Sequence, residues 1–294
     1  MDRWLLLGAS GKVGSLVRSA WQINPPDETE IVSQFRKSDK SRPFSDNFLI
    51  WDPAKGIKAL HQDIHQNGPY QAMIVLAGTT PASSADLTEN SKIAENVLNA
   101  ALETKIPKVL IASSSAVYGI WKEQPYNEQD ELKPVNEYGQ EKIHMEEVCS
   151  LHRQKGLEVC CMRLGNIIGA DSLSMNMKVQ KHDNPIILDK FSDGCGPRRS
   201  YIGPGTLSNI LADLLKTDRA LPEILNVASP YPVQMEELLT AAKAEWTFRS
   251  ASSDASQDVI LDCNLLKTYC DLDIKDYSAE IMIDEWKALE LKPC

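Results

Sequence analysis

The sequence predicts an α/β chain: a doubly wound, mainly parallel sheet followed by a small C-terminal region. Three observations predict it. Short apolar runs alternate with helical stretches through the first two thirds of the 294 residues, which is the pattern of right-handed βαβ crossovers. A glycine-rich turn, 8-GASGKVG-14, separates the first apolar run from the first helical stretch. After about residue 170 the pattern loosens into 183-DNPIILDKFSDGCGPRRSYIGPG-205, rich in Pro, Gly and charge.

The strands are expected at 3-RWLLLG-8, 30-EIVSQF-35, 48-FLIW-51, 71-QAMIVLAG-78, 108-KVLIAS-113 and 157-LEVCCMRL-164. Nearly continuous apolar runs of this length suit strands covered on both faces. Helical periodicity occupies 12–21, 57–66, 86–103 and 137–154 between them. Residues 1–170 therefore form one sheet domain. Residues 171–294 form a smaller part with a helix at 206–216, a strand at 224–229, a helix at 233–245 and a polar loop at 250–258. Segments of about 206–229 are expected to return to the sheet domain. Cys160 and Cys161 sit in a strand and read as core. His144 and His152 flank the centre of the 137–154 helix and read as solvent-facing.

Composition narrows the function classes. A formal net charge of -10 opposes loose binding to phosphate backbones, so nucleic acid is not an expected partner. No apolar run approaches the roughly 18 residues that span a bilayer, and no membrane partner is expected. The opening MDRWLLLGAS has an apolar run too short for a signal peptide. Seven cysteines without a CxxC pair suit a reducing cytoplasm. Five scattered histidines show no ligand spacing, so no metal is expected.

The turn at Gly8, Gly11 and Gly14 follows a strand and opens a helix. Glycines at this place allow a tight turn and a close approach of backbone to a pyrophosphate at the helix N-terminus. With Ser10, Lys12 and Val13, they are the expected dinucleotide cradle. The next strand ends in 33-SQFRKSDK-40. An acid near this point would hold the ribose 2′-OH of NAD. Here Gln34, Arg36 and Lys37 come first and Asp39 is the first acid, so NADP is the preferred cofactor and NAD the alternative.

Tyr138 and Lys142 lie four apart on a helix and share a face. A free tyrosine, with a pKa of about 10, is a poor acid–base group at neutral pH. A neighbouring ammonium is expected to stabilise the phenolate. A hydroxyl from 113-SSS-115, at the end of a strand, would complete a site in which Tyr moves a proton beside a hydride donor.

These motifs, with 75-VLAG-78, 113-SSSAVYG-119, 125-PYNEQDELKPVNEYGQEK-142, 162-MRLGNIIG-169 and 225-LNVAS-229, resemble the extended short-chain dehydrogenase/reductase family of nucleotide-sugar epimerases, dehydratases and ketoreductases. The likeness runs over nearly the whole chain. It implies a Rossmann-like doubly wound parallel sheet with a small C-terminal substrate-binding region. It also implies an NAD(P)-dependent enzyme and a homodimer paired through the helices at 86–103 and 137–154. The implied catalytic residues are Ser114, Tyr138 and Lys142. Asp52, Leu76, Ala77, Gly78, Asn90 and Leu164 would contact the cofactor. Thr79, Thr80, Ser114 and Asn166 would contact a nucleotide sugar, and Arg198 or Arg199 would clamp its diphosphate.

Two departures from the family pattern matter. The Asp-Glu that dehydratases carry after the catalytic Ser/Thr is Ser115-Ala116 here, which argues against dehydration. The usual Arg-Asp-aliphatic-Val-Asp run reads 198-RRSYIGPG-205. The tail 258-DVILDCNLLKTYCDL-272 loosely resembles the end of sugar 4-ketoreductases. Ketosugar reduction is thus the favoured activity. A 4-epimerase, a carbonyl reductase on a non-sugar substrate and a non-catalytic NADP sensor are the alternatives.

Overall fold

The computed structural model describes residues 1–37, 47–83, 85–119, 124–180, 184–272 and 277–290. The chain runs β1 (Asp2–Leu7), α1 (Lys12–Ile23), β2 (Thr29–Phe35), β3 (Phe48–Ile50), α2 (Lys58–Asn67), β4 (Ala72–Val75), α3 (Glu89–Glu103), β5 (Lys108–Ser114), α4 (Glu137–Gln154) and β6 (Glu158–Leu164). The second part holds β7 (Asn166–Ile167), α5 (Ser172–Val179), β8 (Ile186–Lys190), β9 (Arg198–Arg199), β10 (Tyr201–Ile202), α6 (Pro204–Lys216), β11 (Ile224–Val227), β12 (Val233–Gln234), α7 (Met235–Ala242), β13 (Trp246–Ser250), β14 (Asp258–Val259) and α8 (Ala279–Glu290).

Seven strands form one parallel sheet in the order β11-β6-β5-β4-β1-β2-β3. The order reverses at β1, between β2 and β4, which is the switch point where such sheets bind ligands beyond the strand C-termini. Both faces are covered, and the strands show why. In β1, Trp4 and Leu6 enter one apolar layer, and Leu5 and Leu7 enter the other. Alternation of side chains across the strand makes an unbroken apolar run fill two cores at once. Cys160 and Cys161 divide between the same two layers, as core residues. A third apolar cluster, with Leu188, Tyr201, Leu238, Ile283 and Trp286, belongs to the C-terminal part.

After residue 171 the chain returns to the main sheet, where β11 pairs with β6 from Ile224↔Cys161 to Val227↔Leu164. The strand expected over 71–78 is shorter. β4 stops at Val75, and beyond it the backbone of Thr79 is bonded to the Asn90 side chain of α3. The helix expected from 233 ends at Ala242, where Lys243 turns left-handed at φ 61°. The expectation for His152 is corrected. It is buried, with Nδ1 against the Val148 carbonyl at 2.8 Å and Nε2 against Asn99 Oδ1 at 3.0 Å. The packing of α3 on α4 covers it, and helical spacing alone does not show which helix lies opposite. Among the described residues no helix is long and apolar enough to cross a membrane.

Candidate active site

A cleft of about 350 Å³ opens at the C-terminal end of the sheet. The glycine turn contributes to its lining. Gly8 has φ +80°, a left-handed conformation open to glycine, and a Cβ there would lie 2.5 Å from the Ala77 nitrogen. A Cβ on Gly14 would lie 2.1 Å from the Gly8 oxygen. The Gly11 N–H closes the turn on the Gly8 carbonyl at 2.8 Å. Gly11 caps α1 with no side-chain hydrogen bond, and the first turn of α1 carries no acid. A helix N-terminus in this state presents bare N–H groups to an anion. Val13 is the residue of this turn that lines the cleft. Gly8, Ser10, Gly11, Lys12 and Gly14 are not among the lining residues.

Leu76, Ala77, Gly78, Thr79 and Thr80, which follow β4, line one wall. Asn90 holds that wall from behind rather than lining the cleft. Its Oδ1 accepts the Thr79 N–H at 3.1 Å, and its Nδ2 donates to Thr79 Oγ1 at 3.0 Å and to the Leu87 carbonyl at 2.9 Å. The Thr79 hydroxyl itself donates to the Asp86 carbonyl at 3.2 Å. Thr79 therefore offers the cleft little donor capacity.

The three residues singled out as catalytic meet on the opposite wall. β5 delivers Ser114, and α4 delivers Tyr138 and Lys142, all lining the cleft with Leu164 and Asn166. Asn136 caps α4 by accepting the Gly139 N–H at 2.9 Å, which starts the helix so that Tyr138 and Lys142 face the sheet. Ser114 Oγ accepts the Ala116 N–H at 3.2 Å, and the Ser114 side chain lies close enough to Tyr138 to influence its phenol. Lys142 is 4% exposed and donates to the Ala112 carbonyl at 2.8 Å. Its Nζ lies 5.9 Å from the Tyr138 ring centre.

The electrostatics differ from the expectation that lysine lowers the tyrosine pKa. Burial pushes the Tyr138 phenol up, and the Ser114 side chain opposes it only in part. The Lys142 ammonium is not among the influences on Tyr138, since it is turned to the Ala112 carbonyl. Burial also lowers Lys142, to about 8. Neither low dielectric nor helical spacing favours a phenolate here until further positive charge or hydrogen bonding arrives.

Other expected residues lie apart from the cleft lining. Arg36 and Lys37 are exposed just beyond β2, and Asp39 lies outside the described residues. Gln34 is buried. Its Oε1 accepts the Gly8 N–H at 3.2 Å and its Nε2 donates to the Trp51 carbonyl, so its amide braces the glycine turn against β3. Asp52 caps the short turn after β3, accepting the Ala54 N–H at 3.2 Å. The arginine clamp is not assembled. Arg198 pairs with Asp258, with Nε 2.9 Å from Oδ1. Arg199 donates to the carbonyls of Arg198 at 2.8 Å, Gln257 at 2.5 Å and Ser256 at 2.9 Å. Both guanidinium groups are taken up by the 256–258 segment, and sequence offered no sign of that pairing. Asp171, which also lines the cleft, was missed. It caps α5, accepting the Ser174 N–H at 3.0 Å and the Tyr201 hydroxyl at 2.9 Å. An acid directly before a helical stretch was the available signal.

The profile of the NAD dependent epimerase/dehydratase family matches residues 4–206. The chain belongs to this family. A UDP-glucose 4-epimerase of Lactobacillus helveticus is 32% identical over 171 residues, 50% of this chain and 51% of that protein. A UDP-glucose 4-epimerase of Halalkalibacterium halodurans is 29% identical over 118 residues, 38% of this chain and 35% of that protein. The chain thus spans about half the length of the first relative and about a third of the second. The solved UDP-glucuronic acid 4-epimerase from Bacillus cereus, in complex with UDP-glucuronic acid and NAD, has a TM-score of 0.77 at 16% identity, covering 98% of this chain and 99% of that one. The UDP-Glc/GlcNAc 4-epimerase from Campylobacter jejuni has a TM-score of 0.76 at 17% identity, covering 99% of both chains. Likeness at these identities is one of fold.

The residues present fit the family's dinucleotide. A Cβ at Gly8 or Gly14 would fill the turn, and the N-terminus of α1 is uncapped. Gly8–Gly14 would hold the pyrophosphate, Leu76–Gly78 and Leu164 would flank the far half, and Tyr138 and Lys142 would meet its ribose and reacting ring.

Proposed function

We propose that the protein is a nicotinamide-dinucleotide-dependent enzyme acting on a nucleotide-activated sugar, by ketosugar reduction or by 4-epimerisation. The observation that carries this reading is the meeting of Ser114, Tyr138 and Lys142 in one cleft that Val13 of the glycine turn also lines. The dinucleotide, when bound, supplies hydride transfer. Tyr138 gives its proton to the substrate oxygen in the reducing direction and takes it back in the oxidising one. A phenol held above its ordinary pKa by burial suits the donor role at neutral pH. Ser114 holds the same oxygen. Lys142, whose ammonium is turned to the Ala112 carbonyl, would meet the ribose of the bound dinucleotide. Epimerisation is as well supported as reduction by the relatives.

A carbonyl reductase for an uncharged, non-sugar substrate is the second reading. It is favoured by the commitment of Arg198 and Arg199 to the 256–258 segment, which leaves Lys142 as the cation lining the cleft. A diphosphate would have to draw Arg199 away from three carbonyls.

For the cofactor, the family description and the B. cereus neighbour's NAD support NAD. The exposed Arg36 and Lys37, with no acid from Ser33 to Lys37, support acceptance of the NADP 2′-phosphate. If this second signal governs, Arg36→Ala lowers the NADPH over NADH preference by about tenfold in fluorescence titrations. An unchanged ratio would remove Arg36 from cofactor selection. A homodimer through α3 and α4 would elute in light scattering at twice the chain mass of 32.7 kDa. The unpaired, mostly buried cysteines of the described residues are consistent with a cytoplasmic location.

The deciding experiment identifies any nucleotide released on denaturation, then assays the refilled protein with UDP-glucose and UDP-glucuronic acid. Retained NAD with formation of the C4 epimer establishes an epimerase. An empty protein that consumes NADPH against a 4-ketosugar establishes a reductase. Failure to bind either dinucleotide sinks both. The free-enzyme profile of kcat/KM is expected to fall above about pH 8. Lys142, lowered to about 8, is protonated below that pH and loses its charge above it.

A further inference from the structure

Directly beneath the catalytic wall lies a buried polar network that the proposed chemistry does not use. Glu146, one turn after Lys142 on α4, is 7% exposed, and Arg163, near the end of β6, is 3% exposed. Glu146 Oε1 accepts the Ser113 hydroxyl at 2.6 Å and Arg163 Nε at 3.0 Å, while Oε2 accepts Arg163 Nη2 at 2.8 Å. Arg163 Nη1 donates to Tyr118 Oη at 2.9 Å and to the Glu128 carbonyl at 3.2 Å. Tyr118 in turn donates to Asn226 Oδ1 on β11 at 2.7 Å.

A buried ion pair is weak evidence for stability, since an apolar pair of the same volume often serves as well. What distinguishes this one is its position. It grips the residue before Ser114 and lies one helical turn from Lys142, on the same face of α4. We propose that Glu146 is a positioning residue of the active site: it anchors the Ser113–Ser114 strand end and places a carboxylate one helical turn from Lys142, with Arg163 holding that carboxylate in place. The proposal rests on the reading of Ser114, Tyr138 and Lys142 as the reacting centre.

Glu146 is one helical turn from Lys142 on α4 and is the acid among the groups that act on it. On α4, Lys142 faces Tyr138, Glu146 and Cys149. On β5 it meets the Ala112 carbonyl, and on β6 it faces Cys161, with Arg163 beyond Glu146. The β4 loop brings the neutral Gly78 and Asn90. Burial lowers Lys142, and Cys161, Cys149 and Glu146 act in the opposite sense. The Cys161 thiol, held well above its ordinary value by the Cys149 hydrogen bond and by burial, is neutral at physiological pH. The Tyr138 phenol, pushed up by burial, is neutral there too.

The test titrates Lys142 directly, by NMR of the cofactor-free protein labelled with 13C-lysine, with the resonance assigned by Lys142→Met. Glu146→Gln is expected to lower the midpoint by about one unit, and Glu146→Asp to restore most of it. A shift of this kind is not expected of a residue that only supports the fold. Should Glu146→Gln leave Arg163 too poorly paired to fold, Ser113→Ala, which cuts the grip of Glu146 on the strand end and leaves the ion pair in place, carries the test. Ser113→Ala is expected to reduce turnover with the Lys142 midpoint in place. A Lys142 midpoint that stays put in a folded Glu146→Gln, or undiminished turnover in Ser113→Ala, overturns the proposal. Undiminished turnover in Lys142→Met would instead overturn the reading of the reacting centre, so the two failures are told apart.

Discussion

Tyr138→Phe is expected to lower turnover by about 10²–10⁴-fold, the usual worth of a positioned acid–base group, with dinucleotide affinity changed little. The Tyr138 side chain is half-buried and lines the cleft beside residues of β5 and β6. Phenylalanine keeps the ring and its packing and removes only the hydroxyl that carries the proton. The Ser114 hydroxyl keeps the Ala116 N–H, so the wall should not collapse. Stopped turnover with an unchanged Kd for the dinucleotide is the signature of a lost proton carrier. Wild-type turnover in Tyr138→Phe would remove Tyr138 from the chemistry and leave the cleft a binding site.

Gly14→Ala is expected to weaken dinucleotide binding by at least about tenfold, which corresponds to about 1.4 kcal/mol. The added methyl would start 2.1 Å from the Gly8 carbonyl oxygen, a backbone atom that cannot swing aside. The turn must open, and the N-terminus of α1 moves with it. Overpacking of this kind also costs about 1–3 kcal/mol of stability, so thermal unfolding should be followed beside binding. Gly11→Ala is the control, because its methyl would sit 3.2 Å from the same oxygen and its φ of -73° is ordinary. Loss of affinity in Gly14→Ala with the melting temperature of Gly11→Ala near wild type supports the cradle. Unchanged affinity in a folded Gly14→Ala would show that the anion binds elsewhere.

Legibility followed the range of the interaction. The strands of the first part were readable because each is a local apolar run, and β1 needs only its own sequence to fill two layers. The glycine turn and the Tyr138–Lys142 pair were readable because their spacing is short and matches a turn and a helical face. His152 was not, because its cover is Asn99, 53 residues away on α3. Arg199 was not, because the carbonyls that hold it lie 57 and 58 residues downstream. Glu146 and Arg163 read as ordinary charges on a helix and a strand until β6 comes to lie under α4.

By itself, the sequence determined the strands and helices of the first part, the place of the glycine turn, and the helical face shared by Tyr138 and Lys142, since each of these depends on residues near one another in the chain. Only the tertiary structure decided the charge states and partners within the catalytic wall. Whether Tyr138 is pushed up, Lys142 lowered, Arg199 withdrawn or Glu146 engaged depends on burial and on groups brought in from distant elements. Desolvation and hydrogen bonding act through space, and no local pattern encodes which atoms will be neighbours there.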